Sequence, residues 1–130
     1  MESAKQAVLT LHELVPAEEF SRVIRDATIQ RFEYSFEATW KAAKEYLRAI
    51  EGIDVASPKG VIRNCLQAGI LEEHEVVQAF AMVDDRNMTA HTYHEGVAQG
   101  IYEHIPGYVE LLDCWLERMQ KGVEKEHALF

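Results

Sequence analysis

Apolar residues recur along this chain at steps of three and four almost throughout, and no segment alternates with a period of two. That pattern belongs to helices packed on one another rather than to a sheet. Ala4, Ala7, Val8, Leu11, Leu14 and Val15 form a first stripe that Pro16 ends, and Ser3 with Gln6 reads as the capping box that opens it. Neither Pro nor Gly interrupts residues 17–51, where Phe32, Phe36, Trp40, Ala43, Leu47 and Ile50 keep the spacing. One continuous second helix is expected there, a rod of roughly 50 Å that Gly52 stops. Ser57 and Pro58 supply an N-cap and a first helical position for a third helix, which carries Val61, Ile62, Cys65 and Leu66 and ends at Gly69. A fourth helix begins near Glu72, with Glu72, Glu73 and Glu75 at its positive end, and is expected to bury Val76, Val77, Phe80 and Val83. It should run through Asp84-Asp85-Arg86-Asn87-Met88 and fray near His91. The last stretch covers Glu95 to Lys121, with Ile101, Ile105, Leu111, Leu112, Trp115 and Met119 inward and a break expected at Pro106-Gly107. The fold class is therefore all-α: five helices in an antiparallel bundle, one domain over residues 1–130, frayed beyond about residue 120.

Composition narrows the function more than the fold. The 130 residues carry 13 Lys and Arg against 22 Asp and Glu, a net charge of −9. Sequence-independent affinity for nucleic acid comes from cations that release counterions, so a general DNA binder is excluded and any RNA contact must be local. The start Met1-Glu2-Ser3-Ala4-Lys5-Gln6 lacks a signal-peptide pattern and no apolar run approaches a membrane span, so a cytoplasmic protein without membrane contact is expected. Cys65 and Cys114 are too few for a disulfide framework and read as buried thiols.

One segment stands out chemically. Arg86-Asn87-Met88-Thr89-Ala90-His91-Thr92-Tyr93 has the form R-N-x-x-x-H-x-Y near the end of a helix. It resembles the ribonuclease motif of the HEPN family, and the trailing Tyr narrows the likeness to HEPN toxins paired with a minimal nucleotidyltransferase. The block Gln30-Arg31-Phe32-Glu33-Tyr34-Ser35-Phe36-Glu37-Ala38-Thr39-Trp40-Lys41, and Ser57-Pro58-Lys59 opening a helix that ends Gln67-Ala68-Gly69, resemble the branch called nucleotidyltransferase substrate-binding proteins. These blocks span roughly residues 28–105 in matching order. The resemblance implies a four-helix up-and-down core, a homodimer with two motifs facing one cleft, and metal-independent cleavage of RNA. It also implies a nucleotidyltransferase partner acting as antitoxin, which transfers AMP to the residue matching Tyr93.

The residues permit that chemistry on their own terms. Asn87 and His91, four apart, share a helix face, and Arg86 lies about 100° round from Asn87, so the three converge if the helix loosens before His91. Histidine exchanges a proton near neutral pH, while arginine stays charged and grips phosphate with a fork of donors. The catalytic candidates are thus Arg86, Asn87 and His91, with Arg31 or Lys41 as further cations for the cleft, and Tyr93 as the modification site. The plainer alternative pairs Arg86 with Asp84 or Asp85, makes His91 a helix C-cap and leaves Tyr93 half-buried. Phe32, Phe36 and Trp40 are expected in the core. His91 and His94 sit three apart beside Glu95 without other ligands nearby, and His12, His74, His104 and His127 read as surface residues, so no metal or cofactor is expected. The chain has neither a Gly-Ser triphosphate turn nor a D-x-D pair, so it is not itself the transferase. The competing function is a non-catalytic subunit that completes a substrate cleft for that transferase.

Overall fold

The computed structural model describes residues 1–15 and 20–128, and every described element is helical. Helices α1 (Glu2–His12), α2 (Arg22–Tyr46), α3 (Pro58–Gln67), α4 (Glu73–Met88) and α5 (Glu95–Ala128) form the bundle, with α2 touching all the others. The core runs through Val8 and Leu11 of α1, Phe32 and Phe36 of α2, Ile62 and Cys65 of α3, Met82 of α4, and Ile105, Leu112, Trp115 and Met119 of α5.

Local sequence explains most of the boundaries. Ser57 caps α3 by accepting from the Gly60 N–H, with Pro58 at the first turn. Gly52 and Gly69 adopt φ of 67° and 78°, the left-handed conformation that ends the preceding helices without a side-chain clash. Glu72 and Glu75 form a reciprocal capping box at the start of α4.

Several expectations need correction. Met1 occupies the N-cap of α1 without a side-chain bond, so Ser3 and Gln6 do not form the box. The second helix begins at Arg22, where Ser21 is extended and its hydroxyl accepts from the Ile24 N–H; the part of the expected helix over 17–19 lies outside the described residues. Its last turn, Leu47–Glu51, widens into a π-helical turn before Gly52. Val77 is 71% exposed, because Val76, Ala79, Met82 and Val83 complete the inward stripe and leave their neighbour about 100° round in solvent. Phe80 is half-buried with its ring covered by Lys59 and Arg63 of α3.

Nor does α5 break at Pro106-Gly107. Pro106 lies on the outer face, where water can serve the carbonyl it leaves unpaired, while Ile101, Ile105, Tyr108 and Leu112 keep one unbroken stripe in the core. Beyond residue 120, where fraying was expected, the helix continues to Ala128 with Val123 packed on the core. Gly122 lets this segment approach α2 so closely that any side chain there would meet the Tyr46 hydroxyl. Cys65 is fully buried and burial pushes its thiol up to about 11, whereas Cys114 is only half-buried.

Candidate functional site

The motif occupies the junction between α4 and α5. Helix α4 gives way at Met88 to a single 3₁₀ turn, Thr89–His91, so the loosening expected before His91 is present. The Thr89 hydroxyl donates to the Arg86 carbonyl (2.7 Å) and that of Thr92 to the Thr89 carbonyl (3.2 Å), satisfying groups that the ending helix leaves open. The His94 N–H donates to the His91 carbonyl at 3.1 Å, and the His94 carbonyl in turn accepts from the first amides of α5.

This turn presents its chemistry outward. Tyr93 is 75% exposed, with ring centroids 6.1 Å from His91 and 4.3 Å from His94, so the phenol stands on the surface amid two imidazoles. His91 and Asn87 are exposed as well. Arg86 points the other way, toward α2, where its Nε–H donates to Glu37 (3.1 Å) and its Nη2 lies 3.5 Å from Glu33. The structure therefore brings His91 and Tyr93 together and Arg86 to Glu33 and Glu37. Among the described residues, no hydrogen bond joins Arg86 or Asn87 to His91 within one chain.

The plainer pairings fall elsewhere. Asp84 meets Lys59 of α3 at 3.2 Å. Asp85 accepts from the Tyr108 hydroxyl (2.6 Å) and bonds the His104 ring (2.8 Å), and burial together with that carboxylate raises the Tyr108 phenol above its ordinary range. Of the further cations, Lys41 reaches Glu37 at 3.6 Å and so joins the Arg86 network, whereas Arg31 turns to α1 and binds Glu13 and the Thr10 carbonyl. An open groove of about 470 Å³ runs between α2 and the turn, lined by Asp26, Gln30, Glu33, Thr89 and Thr92 among others.

Sequence reasoning missed the feature that fixes the turn from its far side. Arg25, 2% exposed on the inner face of α2, sends Nη1 and Nη2 to the two oxygens of Glu95, each at 2.8 Å, and its Nε to Asp26 at 3.1 Å. Glu95 opens α5 two residues after Tyr93, and the Arg25 bond holds its carboxyl below the usual range. The partners lie 70 residues apart, and no local pattern joins them. Glu33 and Glu37, four apart on α2, were a legible pair with no visible target.

Fold and turn together define a small helical bundle that displays a His and a Tyr at a helix junction, with an Arg one turn earlier on a neighbouring face. The family model described as nucleotidyltransferase substrate binding protein like matches residues 1–121, and the chain belongs to that family. Over 97 residues it is 29% identical to a Haemophilus influenzae protein named "Probable ribonuclease HepT", a match covering 72% of this chain. The chain spans about 65% of the length of that curated relative. A crystallised Thermus thermophilus protein is 50% identical, with a TM-score of 0.87 over 89% of this chain and 98% of its own. A second structure, from Haemophilus influenzae and described as revealing the fold of a substrate binding domain of a nucleotidyltransferase, is 20% identical with a TM-score of 0.77. It covers 92% of this chain and 98% of its own, and shares the fold. No helix among the described residues is long and apolar enough to cross a membrane.

Proposed function

We propose that this chain is a HEPN-type toxin, a metal-independent endoribonuclease silenced when a minimal nucleotidyltransferase partner transfers AMP to Tyr93. The observation that carries the reading is the exposed turn on which His91 and Tyr93 stand side by side one turn after Arg86. The ribonuclease name of a relative at 29% identity and the family's description support its two halves.

In cleavage, a ribose 2′-oxygen attacks the adjacent phosphorus and the bond to the 5′-oxygen breaks, leaving a 2′,3′-cyclic phosphate and a 5′-hydroxyl. His91 takes the 2′-hydroxyl proton or gives one to the leaving oxygen, and Arg86 stabilises charge on the phosphate. Asn87, exposed on the last turn of α4, is the polar companion of the pair. One His per chain cannot perform both proton transfers at once, so the working unit is a homodimer with two turns facing one groove. In silencing, the Tyr93 phenol oxygen attacks the α-phosphorus of ATP, pyrophosphate leaves and the phenol proton is lost. The added phosphate then stands within a few residues of Arg86, where it competes with RNA.

A second reading is favoured by the carboxylates around Arg86: with Glu33 and Glu37 on the guanidinium and −9 overall, the chain suits a binding subunit that completes the transferase's cleft. Paired expression separates the two. Under the toxin reading, wild type arrests growth, His91→Ala does not, and co-expression of the transferase relieves the arrest with AMP mapped to Tyr93. Isolated enzyme cleaves RNA in excess EDTA and leaves cyclic phosphate ends. Absence of arrest from a well-expressed wild type, or labelling unchanged in Tyr93→Phe, overturns it.

A further inference from the structure

We propose that Glu33 and Glu37 govern the Arg86 guanidinium: Glu37 is a positioning residue that orients it, and Glu33 is a competitor that an incoming RNA phosphate displaces. The proposal rests on the ribonuclease reading above. Two carboxylates one turn apart on α2 face a single guanidinium from α4, and their contacts are unequal. Glu37 accepts a hydrogen bond from Nε at 3.1 Å, while Glu33 lies 3.5 Å from Nη2, too far for a good bond. Both lie on the side of the guanidinium that carries Nε and Nη2. Among the described residues, Nη1 donates no hydrogen bond.

A guanidinium offers five donors in a flat fork, so a phosphate can take Nη1 with Nη2 while Nε stays on Glu37. The Glu33 contact covers Nη2 and is the one that must yield. Glu37 is itself held on its other oxygen, Oε2, by Lys41 at 3.6 Å. Two carboxylates and two cations leave this cluster without net charge, so a phosphate gains little until Glu33 is displaced. All three central side chains are partly shielded, at 28% exposure for Arg86, 33% for Glu33 and 31% for Glu37, which keeps the competition from being lost to solvent screening.

The test measures binding of a fluorescent 2′-O-methyl RNA oligonucleotide, which cannot be cleaved, to the full chain. Wild type, Glu33→Gln, Arg86→Ala, the double variant and Glu110→Gln are compared, the last as an exposed charge control on α5. Glu33→Gln should bind about threefold tighter, a gain of the size expected for loosening one partly exposed ion pair. That gain should vanish when Arg86 is Ala and exceed the gain from Glu110→Gln. An equal gain with Arg86 absent, or in the control, reduces the effect to general charge and overturns the competitor role. Loss of binding in Arg86→Ala with no gain in Glu33→Gln removes this proposal alone, whereas equal binding by wild type and Arg86→Ala removes the reading beneath it as well. For Glu37, the Arg86 Nε–H signal in a ¹⁵N–¹H spectrum should shift in Glu37→Gln and stay in Glu33→Gln. An unmoved signal in Glu37→Gln overturns the positioning role.

Discussion

Two arginines reach across this bundle to carboxylates, and they are held in opposite ways. Arg25 is 2% exposed, and Nε, Nη1 and Nη2 all have carboxylate partners, at 3.1, 2.8 and 2.8 Å. Arg86 has a side chain 28% exposed, one good bond to Glu37 and a longer contact to Glu33. The first has a carboxylate on every nitrogen and its own side chain is shielded, although Glu95 and Asp26 remain open to water; the second has no partner on Nη1 among the described residues. A buried guanidinium must have its donors paired to be tolerated at all, so Arg25 serves the fold, while incomplete pairing at Arg86 leaves a valence for a ligand. Both flank the same turn, Arg86 on its N-terminal side and Arg25, through Glu95, on its C-terminal side. The His91 and Tyr93 turn thus stands between a lock and a latch.

The largest break in this comparison should come from Arg25→Ala. That change removes a buried aliphatic stem and two short bonds to Glu95, and we expect a loss of about 2 kcal/mol in unfolding free energy. Glu95 itself is mostly exposed, which keeps the cost below that of stranding a buried charge. Urea denaturation measures it. A loss no larger than for Arg86→Ala would erase the distinction between the two arginines.

Acid should loosen the lock next. The Arg25 bond holds Glu95 below its ordinary range, and at the other end of the bundle burial would raise Glu75 but the Arg118 bond and the Glu72 amide outweigh it and hold it low. A carboxyl lowered on folding contributes stability that is fully present above its unfolded value, near 4.3, and disappears as pH falls through the lowered folded value. The urea midpoint should therefore fall steeply below about pH 4, and Glu95→Gln and Glu75→Gln should each flatten that fall. An acid limb as steep in both variants as in wild type would show that these pairs do not couple folding to protons.

The bundle was legible because its information is local: Gly52, Ser57, Pro58, Gly69 and the apolar stripes each act within a turn or two. Where reading failed, a partner outside the window decided. Val77 looked as apolar as Val76, and only the packing of the whole helix chose between them. Pro106 looked like a break until the core stripe of α5 passed it undisturbed on the opposite face. At the site, the spacing of Arg86, Asn87, His91 and Tyr93 was visible, and the helix was expected to fray near His91, as it does in the 3₁₀ turn Thr89–His91. The turning of Arg86 toward Glu33 and Glu37 was not, since that depends on how α4 lies against α2. The Arg25–Glu95 lock was hidden for the same reason.

The smallest expected effect is the most telling one. Arg86→Ala should cost less than about 1 kcal/mol in stability, because a partly exposed pair loses little on truncation and Glu37 keeps Lys41 beside it. Under the ribonuclease proposal the same change abolishes RNA cleavage and weakens RNA binding, so stability and function separate at this residue. The order matters physically: if the proposed exchange of Glu33 for an external phosphate holds, the Arg86 contacts must be ones the fold does not depend on. Measuring both quantities on the two variants decides it. An Arg86→Ala protein as destabilised as Arg25→Ala would make Arg86 a second structural lock, and would leave His91 and Tyr93 to act without a phosphate-binding arginine from their own turn.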